Sequence, residues 1–280
     1  MTKTGRMTPV RHAGAPRGHG IEGRAMGLGA RLVAVLACGA CLVFATGARA
    51  EETVTITEAG FSPDRLGVPT NAFGSATIGS TTGPVPSPIT HVNVYGPAGV
   101  TLDLRGTAVC AKEKLEAKGP SACPANSRAG FGGGMGIYML GKELVEEEYT
   151  LDFFLADNRP GHVALNIFLL GEKPVAVEVF FTAKVITGPK PYGLGFSVDV
   201  PLVKVLPEAS NASAKSAFLT LGAHNVAYYR NVHGKRRLFH VRGIILPKRC
   251  PHGGWPVASQ FTFEDGQTVM AKRSVPCPRR

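Results

Sequence analysis

From Glu51 onward the sequence alternates apolar and polar residues in short runs, and glycine or proline closes almost every gap between them. Val54-Thr55-Ile56-Thr57, Gly74-Ser75-Ala76-Thr77-Ile78, Ile89 to Tyr95 and Val100 to Leu104 follow one another at close spacing. Gly83-Pro84-Val85-Pro86-Ser87-Pro88 and Gly96-Pro97-Ala98-Gly99 lie between them. A period of two puts neighbouring side chains on opposite faces of a strand, and short strands fenced by turn residues build a sandwich or a barrel.

The same pattern resumes further along. Leu144 to Phe154 carries Glu146, Glu147 and Glu148 early and Phe153-Phe154 late, which reads as a strand entering a core from solvent. His162 to Leu170 and Val175 to Ile186 are the most apolar stretches and are expected as central strands. Phe196 to Leu206 reads as a strand that Pro201 places at an edge or a bulge. Val226 to Val232 turns at His233-Gly234-Lys235 into Arg237 to Arg242, the clearest hairpin. Ala111 to Lys118 is the one helix candidate, stopped by Gly119-Pro120 and too short to persist alone. The expected fold is all-β: an antiparallel β-sandwich, one large or two abutting, with one short helix and a subdivision near residues 130–142.

Residues 1–50 stand apart. A basic front precedes the apolar run Leu32 to Gly47, which ends in Ala48-Arg49-Ala50. That order is a secretory signal peptide with cleavage after Ala50. Translation from Met1 makes it long; Met7 or Met26 as the start brings it toward the usual length. The alternative is an uncleaved leader serving as a membrane anchor, although the apolar run is shorter than the roughly 20 residues a spanning helix needs. Val35-Leu36-Ala37-Cys38 reads weakly as a lipoprotein box, because the apolar run continues past Cys38.

Export changes the charge and cysteine arguments. Seven of the 31 basic residues and one of the 20 acidic ones lie in the leader, so the net charge falls from +11 to +5. That modest excess permits an anionic wall polymer or membrane surface as partner and does not call for nucleic acid. Four of the six cysteines remain, and an even number in an exported chain reads as disulfides. Of the three pairings, neighbours are favoured: Cys110 with Cys123, and Cys250 with Cys277, each loop closure contributing roughly 3 kcal/mol. A metal site using Cys250 with His252 and His240 lacks the close cysteine pair that structural zinc prefers.

No catalytic motif is present. G-x-S-x-G, S-x-x-K and H-E-x-x-H are all missing. The run Gly130-Phe131-Gly132-Gly133-Gly134-Met135-Gly136 lacks the Gly-Lys-Ser/Thr of a phosphate loop, so a turn or bulge before a strand is the simpler reading. Glu146 to Glu148, Asp152 and Asp157 are accounted for by a solvated strand face and a turn. A Ser-His-Asp site assembled from distant segments stays open, with six histidines beyond the leader to choose from. Trp255, the only tryptophan, is expected to pack over a disulfide rather than serve as a stacking platform. Arg230, His233, Lys235, Arg236, Arg237 and Arg242 gather on the predicted hairpin. They fit either contact with an anionic surface or protection of an edge strand against pairing.

Cys110…Gly119-Pro120…Cys123-Pro124-Ala125-Asn126-Ser127-Arg128-Ala129-Gly130 and Cys250-Pro251…Gly254-Trp255-Pro256…Asp265-Gly266…Pro276-Cys277-Pro278 together resemble a loose group of exported β-rich proteins of high-G+C Gram-positive bacteria. The resemblance implies export, two local disulfides and a β-sandwich, and it supplies no activity, cofactor or site residue. The sequence thus reads as a secreted or cell-surface, non-enzymatic interaction module of the cell envelope or extracellular space. The alternative is a secreted hydrolase, acting on polysaccharide or ester, with a site assembled by the fold.

Overall fold

The computed structural model describes residues 51–224 and 226–278; the leader lies outside them. The strands are β1 (Glu52–Ser62), β2 (Pro69–Ser80), β3 (Ile89–Pro97), β4 (Thr101–Asp103), β5 (Arg128–Leu140), β6 (Glu143–Asp157), β7 (Ala164–Lys173), β8 (Val177–Thr187), β9 (Tyr192–Asp199), β10 (Ser213–Leu221), β11 (Ala227–Val232), β12 (Lys235–His240), β13 (Gly243–Ile245), β14 (Trp255–Phe263) and β15 (Thr268–Val275). The one α-helix, α1, is Lys112–Lys118. The described residues are therefore predominantly antiparallel β-structure with one short helix and two disulfides, as the alternation and the cysteine spacing lead one to expect.

Thirteen strands form one sheet in the order β15-β14-β3-β9-β8-β7-β6-β5-β10-β2-β13-β4, with β1 also on β2; β11 and β12 pair only with each other. The middle of the sheet, β5 to β9, is a meander in which each strand pairs with the next. Register shifts interrupt β1–β2, β5–β6, β6–β7, β3–β9, β3–β14 and β5–β10. Each shift bends its strand and adds twist, and together they curl the sheet back upon itself. The result brings β1 alongside β15. There the Arg273 guanidinium donates to the carbonyls of Ile56 and Thr57 at 2.9 and 2.7 Å, and Phe61 meets Trp255 edge to face. Trp255 is buried with Phe61, Leu246 and Val275, and Cys250 packs against the same cluster, so the tryptophan is a seam residue beside a disulfide.

The apolar stretches expected at the centre are central. One face of the β6–β9 region turns Phe153, Leu155, Leu165, Ile167, Ala183 and Val198 into the main core. The other face turns out Phe154, Phe168 and Phe180, which are covered by Cys110 and by Leu115 of α1. Both faces being covered explains why these segments read as continuous apolar runs. Buried Asn166 fixes this cover. Its amide donates to the Cys110 carbonyl at 3.0 Å and its carbonyl oxygen accepts from the Thr182 hydroxyl at 3.0 Å.

Two expectations change. The glycine run is not a turn before a strand but the interior of β5, paired on one side with β6 and on the other with β10, with a register shift at its start toward β6 and a second, in β10, opposite Met135 and Gly136. A Cβ on Gly134 would overlap the Ser216 carbonyl, and one on Gly133 would stand 2.5 Å from the Tyr149 carbonyl. Glycine is used here to let three backbones approach closely. The region 130–142 accordingly runs through β5 into the turn before β6. Beyond β9, residues 200–206 leave the sheet instead of extending it, so Pro201 follows a strand rather than interrupting one.

Helix α1 is two turns long, ends at Gly119 with φ +69° and has one buried residue, Leu115. Its persistence rests on that anchor and on the Cys110–Cys123 bridge, whose Cα atoms are 5.3 Å apart. Leu115→Ala is expected to destabilise the protein by about 2–5 kcal/mol. The Cys110→Ser, Cys123→Ser pair is expected to cost roughly 3 kcal/mol. Urea unfolding of each variant checks both values, and a loss below 1 kcal/mol for Leu115→Ala would show that the helix is not held by this contact.

Candidate functional site

Curling the sheet does not fill its inside. A cavity of about 450 Å³ lies between the inner faces, where native interiors seldom leave voids larger than a water molecule. Its wall combines large apolar residues, among them Phe73, Leu151, Phe153, Phe181, Phe196 and Phe261, with small ones such as Ala76, Gly136, Gly171, Ala212, Ala214 and Ala217. The small residues withdraw side-chain volume from one part of the wall, and the space remains.

Few polar groups reach this wall; Glu58 and Glu147 bring carboxyls to it, and of the two Glu147 is the buried one. Glu147 lies on β6 in the same alternation as Tyr149, Leu151, Phe153 and Leu155, so strand parity turns it inward while Glu146 and Glu148 face solvent. It is 6 % exposed, and neither carboxyl oxygen has a hydrogen-bond partner. Across the ladder, β7 supplies Gly171, where a Cβ would overlap Glu147 Oε1; the glycine makes room for the carboxyl. Burial pushes the Glu147 carboxyl above its ordinary range. Burial also raises the buried Tyr138 phenol, with the charge of Glu147 as the second cause. Tyr149 donates its hydroxyl to the Ser216 carbonyl at 2.9 Å. The acidic run is therefore not a uniformly solvated face, and the alternation with Tyr149 and Leu151 was the signal that could have singled out its middle member.

The basic residues expected on a hairpin are on one. Arg230 is on β11; Lys235, Arg236 and Arg237 are on β12; His233 and Gly234 form the two-residue turn with φ +50° and +75°. Two successive positive φ values match the twist of a tight hairpin. Arg242 lies past the end of β12, with its guanidinium 3.4 Å from Asp103. Cys250 is bonded to Cys277 and so is not a metal ligand beside His252. Among the described residues no group of three His, Cys, Asp or Glu side chains is placed to hold a metal.

The fold does bring a serine, a histidine and an aspartate together. His91 on β3 stands opposite Asp199 on β9 and diagonal to Ser197. Its Nδ1 is 2.6 Å from Asp199 Oδ1, and its Nε2 is 3.1 Å from Ser197 Oγ. Three features separate this trio from a nucleophilic site. It lies on the outer face, with the side chain of Asp199 94 % exposed, and none of the three lines the cavity. His91 Nε2 is also 3.2 Å from the side-chain amide oxygen of Asn93, so Ser197 is not its sole partner. Strand β9 is paired on both edges, with β3 and β8, which leaves no backbone amides gathered to receive an oxyanion.

No family model matches this chain, and neither a curated protein nor a solved structure matches it. Its class is therefore defined by what it contains: an antiparallel all-β fold, clipped by two local disulfides, around an apolar cavity whose wall includes the buried, unpartnered carboxyl of Glu147.

Because Glu147 binds its proton more tightly in the folded chain, its contribution is most favourable below the ordinary value of 4.5 and is lost as pH rises through the elevated folded value. Glu52, raised by burial in the same direction, contributes equally to wild type and variant and cancels in their difference. Glu147→Gln is expected to match wild type near pH 4 and to exceed it by about 1–3 kcal/mol near pH 8. Denaturant unfolding at the two pH values checks this, and a pH-independent difference would contradict it.

Proposed function

We propose that this protein is an exported, non-enzymatic binding module of the cell envelope or extracellular space, and that its cavity takes an apolar small molecule. One observation carries the reading. A volume of about 450 Å³, within the range of small-molecule sites, is walled almost entirely by carbon and includes a buried carboxyl without a partner. An apolar body would satisfy the wall, and a hydroxyl or amide on it would satisfy Glu147. Export is supported by the leader sequence and by two disulfides, which persist in oxidising compartments.

A neutral apolar fluorophore such as N-phenylnaphthylamine is expected to bind saturably with one site per chain and to be displaced by long-chain alcohols. Ala217→Phe, which places a ring in the cavity from β10, is expected to weaken binding at least tenfold while leaving the fold intact by circular dichroism. Absence of saturable binding to the wild-type chain would overturn the reading.

The hydrolase alternative rests on the Ser197, His91 and Asp199 contacts. On the geometry described, a fluorophosphonate probe is expected to leave Ser197 unlabelled. Labelling that disappears in both Ser197→Ala and His91→Ala would replace the binding reading with an enzymatic one.

A further inference from the structure

The hairpin β11–β12 forms a two-stranded sheet of its own. Its inner face is anchored: the Tyr228 and Phe239 rings stack at 5.8 Å, and the Tyr228 hydroxyl lies where a Cβ on Gly106 would be. The outer face carries Tyr229 directly opposite Leu238, exposed by 57 % and 50 %. The Arg236 guanidinium sits 4.0 Å above the Tyr229 ring. Arg236 shares this face, whereas Arg230, Lys235 and Arg237 lie on the face of Tyr228 and Phe239, with the Arg230 guanidinium 5.7 Å over the Phe239 ring. No Asp or Glu occurs between Glu208 and Glu264, a span that holds eight Lys and Arg residues. Among the described residues Arg230, Lys235, Arg236 and Arg237 have no carboxylate partner within ion-pair distance.

We infer that this hairpin docks the protein on an anionic lipid bilayer, with Tyr229 and Leu238 entering the interfacial layer, Arg236 meeting lipid phosphates on the same face, and Arg230, Lys235 and Arg237 adding attraction from the opposite face of the thin two-stranded sheet. The inference goes beyond the cavity reading and does not rest on it. Guarding an edge strand would account for the charges alone, since charge is what discourages strands from pairing. It does not account for an exposed leucine and tyrosine side by side on the outer face. A phosphate-bearing wall polymer would likewise match the charges, but it offers no apolar phase for Leu238. A bilayer surface offers both, and tyrosine is suited to the boundary between them.

The test is co-sedimentation of the purified chain with vesicles of phosphatidylcholine containing 30 % phosphatidylglycerol, and with phosphatidylcholine alone. Wild type is expected to prefer the anionic vesicles and to release as salt is raised. Lys235→Gln, Arg236→Gln and Arg237→Gln combined are expected to lower partitioning at least tenfold, Arg236 at the surface contributing roughly fivefold and the two charges of the opposite face less each. Tyr229→Ser with Leu238→Ser is expected to lower it roughly tenfold, leaving the charges in place. All variants are made in the same chain, so that any contribution from the leader is common to them. Partitioning that ignores the charge variant would overturn the inference. Retention on isolated anionic cell wall that is indifferent to the Tyr229, Leu238 variant, without preference for anionic vesicles, would assign the hairpin to wall polymer instead and overturn the lipid reading.

Discussion

A chain whose described residues hold one α-helix, of seven residues, must cover most of its apolar sheet surface with more sheet. That constraint governs the molecule. The bulges between paired strands are the means by which it is met, because each bends the sheet until β1 reaches β15 and the inner faces oppose. Where the bend leaves an outer face apolar, at Phe154, Phe168 and Phe180, the disulfide loop with α1 supplies a local cover. The loop could not hold that position by propensity, since two isolated turns are unstable in water. The Cys110–Cys123 bridge, the Asn166 hydrogen bond and Leu115 hold it together.

Closing a sheet upon itself fixes the size of the interior independently of the side chains that fill it. Here the small residues of β2, β5, β7 and β10 leave part of that interior to whatever else enters. An apolar wall without atoms packed against it forgoes the contacts that a filled interior has. An apolar molecule that makes those contacts would therefore do more than occupy a site; it would stabilise the fold that encloses it. Glu147 fits the same logic. A carboxyl buried without a partner is costly, and the ways to lessen that cost are to stay protonated or to meet a polar group brought in from outside.

Much of this architecture was legible in the sequence, and what was not shares one cause. Alternation, turn residues and cysteine spacing are local, so the strands of the meander, the hairpin at His233-Gly234, the helix at Ala111 to Lys118 and both bridges could be read directly. Register is not local. Which member of Glu146-Glu147-Glu148 turns inward depends on which face of β6 is covered, and a shift of one residue would exchange them. The meeting of His91 with Asp199 and Ser197 depends on the pairing of strands a hundred residues apart. The glycine run misled for a related reason: glycine marks both turns and places where backbones approach, and only the neighbouring strands β6 and β10 distinguish the two.

The hairpin shows the opposite division. Its sequence is explicit about local structure, yet its exposed faces have no place in the main sheet. An isolated two-stranded sheet is marginal in water, so a hairpin that holds its shape outside the main sheet is held by its contacts. Tyr228 and Phe239 provide them on the inner face, stacked against each other, with Tyr228 set over Gly106. The outer face contributes little to that support. Tyr229 and Leu238 there give up the stabilisation that burial in the core would have supplied, and Arg236 covers only one ring. The two faces thus divide the work: Arg230, Lys235 and Arg237 share the face of Tyr228 and Phe239, and Arg236 alone accompanies the exposed pair Tyr229 and Leu238.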